Sequence, residues 1–268
     1  MQYRVGTDGS ITMAGFEADQ DNIMGSYAAR ASLRTLLADG RGGALRQQLV
    51  RILQRSIIAD VTFRASVIAT PLPAFPDVTY TGMPDGAPSQ LADDPLARQL
   101  RIVARTVRSH AAPGMKRQVF MDSIDGFDIH EEQMREQTAL MQRVAQAISY
   151  FQGALGDMQD QVTLFTASEF GRTLASNREG SDHGWGSHHF VGGGALRGGR
   201  MVGRFPETRL SLPDEENPDE VGSGRLLPST SVEQLAGTLG RWFGVADGEL
   251  DNVLPSLRNF THRDLGLF

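Results

Sequence analysis

Four of the chain's six histidines stand near acids in two short stretches. Asp128 and His130 take alternate positions in FDIH, and alternate side chains of an extended segment point to the same side, so a carboxylate and an imidazole can face one cation. The second stretch, residues 163–204, carries Glu169, Asp182, His183, His188 and His189 among glycines that let the backbone fold closely over a site. This donor set suits one or two divalent ions: Zn, Mn or Fe, with Ca or Mg for a more carboxylate-rich subset. The plain alternative is an Asp182 to His183 hydrogen bond with exposed imidazoles at a tight turn.

Arg172 lies three residues past Glu169, where its guanidinium could clamp a phosphate or sulfate oxygen or simply pair with Glu169. Trp185, between Gly184 and Gly186, either walls a pocket or anchors a loop. The glycines at 192–194 and 198–199 lack the Walker lysine and the dinucleotide GxGxxG spacing. They read instead as a hairpin or bend, with Phe190-Val191 and Met201-Val202 as its short strands. Ser168 has no glycine two positions before it, so a serine-hydrolase elbow is disfavoured. His110 and His262 lie outside both motifs and read as surface residues.

These groups need a scaffold, and 268 residues suffice for a single domain, 1–268, with a substantial core. The net charge of −6 gives no basic footprint for nucleic acid. With no cysteine, disulfides, zinc–thiolate sites and thiol nucleophiles are excluded. No apolar run of about 18 residues could span a bilayer, and MQYRVGTDGS has no signal-peptide pattern.

Residues 24–68 predict two helices joined by a turn at the glycines from Gly40 to Gly43, with Leu45, Leu49 and Ile52 at helical spacing. Residues 70–89 read as a long surface loop. Asp94-Pro95 opens a helix with Leu96, Leu100, Val103 and Val107 on one face, ending near Pro113-Gly114. QVFMDSI at 118–124 predicts a strand, residues 131–156 a helix, and VTLFTA at 162–167 another strand. The acidic run PDEENPDE at 213–220 reads as a solvated loop, and Ser231 with Gln234 as a capping box before a helix lined by Val232, Leu235, Leu239 and Trp242. Helix, strand, helix, strand is the pattern of a crossover in a parallel sheet, so the order predicts an α/β fold, a mainly parallel sheet flanked by helices. Asp128-Ile129-His130 and Ser168-Glu169 would then begin at strand ends and meet on one rim.

GFDIHEEQ, TLFTASEFGRT, SDHGWGSHHFVGGGALRGGRMVGRFP, EQLAGTLGRWFGV and LPSLRNF together resemble the DUF1501 family, bacterial proteins placed with the alkaline phosphatase and sulfatase superfamily. The likeness is best over residues 95–260. It implies an alkaline phosphatase-like fold and a metal-dependent hydrolase acting on a small-molecule phosphate or sulfate ester. In that superfamily an Asp and His pair, a later acid and a loop histidine hold the metal; Asp128, His130, Glu169 and His183 or His188 stand in that order. Ile129 stands where the family usually has Thr, and Glu169 where it often has Asp. The resemblance further implies twin-arginine export to the periplasm and an N-terminal strand, bearing another acid and followed by the nucleophile, upstream of this chain. On that expectation the chain is a metal-dependent hydrolase domain in an incomplete version of the fold, truncated or inactive, or else a non-catalytic exported binding or assembly protein.

Overall fold

The computed structural model describes residues 5–6, 9–10, 23, 26–39, 42–110 and 116–268. A two-residue antiparallel pair, β1 (Val5–Gly6) and β2 (Gly9–Ser10), precedes the expected helix pair, α1 (Tyr27–Ala38) and α2 (Ala44–Ala69). Ser26 caps α1 by accepting the Ala29 amide at 3.1 Å, and Gln54 of α2 donates to the Leu37 carbonyl at 2.6 Å. The helical spacing of Leu45, Leu49 and Ile52 does form a face, but that face is bare: Leu45 is 90 % exposed. The connection's Gly40 and Arg41 lie outside the described residues.

The core is built around α3 (Pro95–Arg108) and α4 (Gln133–Leu155). Asp94 caps α3 by accepting the Leu96 amide at 2.9 Å, and Pro95 occupies the first turn, where a missing N–H leaves nothing unpaired. Leu96, Leu100, Val103 and Val107 are all buried, as their spacing predicts, against Ala147, Tyr150, Phe151, Ala154 and Leu155 of α4. The helix ends at Arg108; the expected stop at Pro113 and Gly114 lies outside the described residues.

Asp94 does more than cap. It is fully buried, and Arg143 of α4 reaches it with two hydrogen bonds, Nε to Oδ2 at 2.8 Å and Nη2 to Oδ1 at 3.2 Å. The Tyr80 hydroxyl adds a third to Oδ2 at 3.0 Å. Burial opposes ionisation of Asp94, but the hydrogen bonds and charge of Arg143 and the Leu96 amide outweigh it, so its pKa lies below the ordinary carboxylate value. Burial, and then the Asp94 charge, push the Tyr80 phenol well above its usual range.

Residues 70–89 are irregular as expected, yet they are not merely a surface loop. Leu72, Phe75, Val78 and Met83 pack on the α3 and α4 core and Tyr80 is buried within it. The Phe75 ring lies 4.4 Å from that of Tyr150, whose hydroxyl donates to the Pro73 carbonyl.

The expected parallel sheet is absent among the described residues. QVFMDSI forms no strand: Val119 and Met121 are 82 % and 94 % exposed, and the Ser123 backbone bonds the Gln99 side chain of α3 in both directions. VTLFTA contributes only β3 (Leu164–Phe165). Two strands further on, β4 (Gly171–Ser176) and β5 (Ser181–Gly184), pair antiparallel with each other, and β6 (Val191–Gly192) pairs antiparallel with β3. Phe190-Val191 therefore does not form a hairpin with Met201-Val202, which is not a strand. The physical reason is that α3 and α4 bury their apolar faces on each other. Helical periodicity shows that a face needs covering, and is silent on whether a sheet or a helix covers it.

Downstream, the acidic run is only partly solvated. Asn217 and Asp219 are buried, and Asp219 takes both Arg204 guanidinium nitrogens and the Glu207 amide. Arg204, and then that amide, pull its pKa down to about 2. The capping box forms as predicted and starts α5 (Val232–Phe243), although Val232 is exposed. A last short helix, α6 (Leu250–Val253), buries Leu250, and Leu257 beyond it is buried too. No helix among the described residues is long and apolar enough to cross a membrane.

Candidate metal centre

Asp128, Ile129 and His130 alternate as an extended segment should. Ile129 is buried while Asp128 and His130 face solvent on the same side, His130 Nε2 lying 3.0 Å from Asp128 Oδ1. The segment leads directly into α4, with Glu132 in a left-handed conformation before Gln133. Gly126, two residues ahead of Asp128, has a φ of +103°, which a side chain would strain.

His183 reaches the same carboxylate from β5. Its Nε2 is 2.6 Å from Asp128 Oδ1, and its ring centre is 5.2 Å from that of His130. The β4–β5 turn brings it there. Asn177 Oδ1 accepts the Gly180 amide, the Gln133 amide donates to the Glu179 carbonyl at 3.1 Å, and Ser181 Oγ donates to Gln133 Oε1 at 2.9 Å. Gly180 is needed for this docking, because a Cβ there would lie 2.8 Å from the His130 carbonyl oxygen and 3.0 Å from Gln133 Oε1. Phe170 fixes the ring plane of His183 by stacking on it at 3.8 Å and 6°.

Asp128, His130 and His183 thus form a group whose ligand atoms all lie within 4.8 Å of one another. Metal–ligand bonds of about 2.0–2.1 Å put tetrahedral ligands about 3.3 Å apart, so modest opening of the 2.6 and 3.0 Å contacts would admit an ion. Without an ion the same geometry is a carboxylate bridging two imidazoles. The hydrogen bond from His183, with a smaller one from His130, lowers the pKa of Asp128, keeping it in the ionised form a cation requires. The side chains are 65 %, 46 % and 45 % exposed for Asp128, His130 and His183, so the group is open to solvent.

Asp182 stands beside this group rather than in it. Its Oδ1 is 3.6 Å from His130 Nδ1 and takes the Asn177 amide nitrogen at 3.3 Å. Glu169 is exposed and is not in the cluster. Nor are His188, which stacks on Phe205 at 5.0 Å, and His189, whose pKa is lowered by surrounding atoms and then by His188. Arg172 is not paired with Glu169: Nη1 donates to the Ser181 carbonyl at 2.6 Å and Nη2 to the Phe127 carbonyl at 2.5 Å. Trp185 is 65 % exposed. The supporting roles of Phe170, Gln133 and Ser181 escaped the sequence reading. Only the aromatic between Glu169 and Gly171 offered a signal for one of them.

An α3–α4 helical core with an antiparallel hairpin that delivers a histidine to an Asp-x-His segment defines an α-helix-rich domain with a potential metal triad. The chain belongs to the family described as "Protein of unknown function (DUF1501)", whose family model matches residues 90–257, from just before α3 through the triad to the last helices. No curated protein and no solved structure matches it.

Proposed function

We propose that Asp128, His130 and His183 hold one divalent transition-metal ion, and that the chemistry of this face is hydrolysis of a phosphate or sulfate ester. The observation that carries the reading is one carboxylate and two imidazoles, from a loop and a separate strand, with their ligand atoms within 4.8 Å. Mixed oxygen and imidazole donors favour Zn, Mn or Fe over Ca or Mg. Such an ion supplies Lewis acidity toward an ester oxygen and makes water acidic enough to attack near neutral pH. Asp128 contributes a carboxylate already ionised, the Phe170 ring holds the His183 imidazole, and the open side of the triad admits a substrate. The ester substrate rests on the order of Asp128, His130 and His183, an Asp and His pair followed by a loop histidine, which is the part of the phosphatase and sulfatase ligand order that the family resemblance implies and the cluster keeps. It concerns that chemistry and not the parallel-sheet architecture.

A second reading, a metal-holding protein without turnover, is favoured by the roughly half-exposed state of all three side chains. Metal analysis of the purified protein, before and after Asp128→Ala with His130→Ala, tests the site. About one equivalent in the wild type, lost in the double variant, is expected; a metal-free wild type that also fails to take up added Zn or Mn ends the proposal. Metal-dependent cleavage of p-nitrophenyl phosphate or sulfate then separates the hydrolase from the binding protein.

A further inference from the structure

We infer that Arg172 is a positioning residue for the metal site, a guanidinium staple that sets the Asp128 segment against the His183 strand. The inference rests on the metal reading above. Arg172 and His183 are partners across the β4–β5 ladder, so the side chain starts beside one ligand. One arm donates to the carbonyl of Phe127, the residue preceding Asp128, at 2.5 Å. The other donates to the carbonyl of Ser181, two residues before His183, at 2.6 Å. Those two peptide groups belong to segments 45 and 9 residues away from Arg172 in sequence.

A planar guanidinium projects its N–H groups in fixed directions, so two carbonyls bonded to it have their separation fixed as well. Asp128 Oδ1 and His183 Nε2 are carried by those same two segments. The third contact reaches the imidazole through Phe170. The guanidinium carbon sits 5.3 Å from the centre of the Phe170 ring, and that ring stacks on His183. Arg172 is therefore bound to the support of two of the three ligands while touching none of their donor atoms. Each terminal nitrogen donates to a backbone oxygen, so the staple uses two of the five guanidinium N–H groups.

Support shells of this kind shift metal affinity about tenfold to a hundredfold. The test compares wild type, Arg172→Met and Arg172→Lys by Co(II) titration followed by visible absorbance, at a temperature where circular dichroism shows each metal-free protein folded. Binding by Arg172→Met is expected to weaken about tenfold to a hundredfold, with a changed Co(II) spectrum. Arg172→Lys should recover part of the loss, since one ammonium can hold one carbonyl but not fix both. A merely structural role would lower stability and leave the affinity of the folded protein unchanged. Wild-type binding with Arg172→Met within twofold of it overturns the assignment. Should the wild type bind no Co(II), the metal reading fails, and amide hydrogen exchange of the metal-free proteins decides the staple itself. Faster exchange at both 127–133 and 179–184 in Arg172→Met supports it; unchanged exchange there overturns it.

Discussion

Replacing Arg143 by Met should be among the most damaging single changes in this chain. Asp94 is fully buried and Arg143 only 12 % exposed, so the substitution leaves an ionised carboxylate in the core with the Tyr80 hydroxyl and the Leu96 amide as its remaining partners. Removing one member of a buried ion pair costs about 3–5 kcal/mol, which for a chain of this size lowers the melting temperature by roughly 6–20 °C. The pH dependence identifies the cause. In the wild type the pKa of Asp94 is depressed, so its contribution is present above the unfolded value of about 3.9 and lost as pH falls through the folded value. In Arg143→Met the lone carboxyl is more easily protonated, so the gap between variant and wild type should be widest near neutral pH and narrow on acidification. Urea unfolding followed by circular dichroism between pH 4 and 7 measures both effects (roughly the span in which a raised carboxyl titrates). The double variant Asp94→Asn with Arg143→Met should be less destabilised than the sum of the singles. A loss below about 1 kcal/mol, or one independent of pH, would refute the argument that this pair closes the core.

Two further outcomes follow from the loops. The pKa of Asp219, drawn to about 2 by Arg204 and the Glu207 amide, means that its stabilisation of residues 204–227 is complete above about pH 4 and lost as pH falls toward 2. Limited pepsin cleavage of that segment should accelerate over this window in wild type, while Asp219→Asn should already be labile at pH 4, and equal rates would contradict it. Gly180→Ala places a methyl against the His130 carbonyl and Gln133, so it should destabilise by about 1–3 kcal/mol and weaken metal uptake. Thermal melts and Zn titration check both, and a neutral substitution would show that the turn does not dock as described.

Local chemistry was legible in the sequence where its partners are near. Asp94-Pro95 announced α3, Ser231 with Gln234 announced α5, and Asp-x-His alternation placed Asp128 and His130 on one side. Non-local pairing was not legible. Nothing in the periodicity of α3 says that its face meets α4, so the intervening apolar run QVFMDSI reads as a strand of a sheet that the described residues do not contain. Asp94 read as a cap because its neighbour is Pro95; its ion pair lies 49 residues away. The same blindness affected Asp219, hidden in a run of acids in which Asp214, Glu215 and Glu216 are exposed, and Arg172, whose carbonyl partners carry no side-chain signature. His183 was identified by its type, but its meeting with Asp128 depends on the turn at Gly180, which the sequence marked only as one glycine among many.

The packing of residues 70–89 bears on how this protein can be cut. The family match begins at residue 90, yet Tyr80 bonds Asp94, and Leu72, Phe75 and Val78 lie on the core from before that limit. At the other end, beyond residue 257, the Phe268 ring stacks on Trp242 and the Leu267 carbonyl accepts the Arg197 amide. A fragment trimmed to the matched residues would carry the triad but bare the buried carboxylate of Asp94 at one end and the face of α5 at the other. The smallest piece that keeps both covered runs from about Thr70 to the last residue, and expression of the isolated domain should start from those limits.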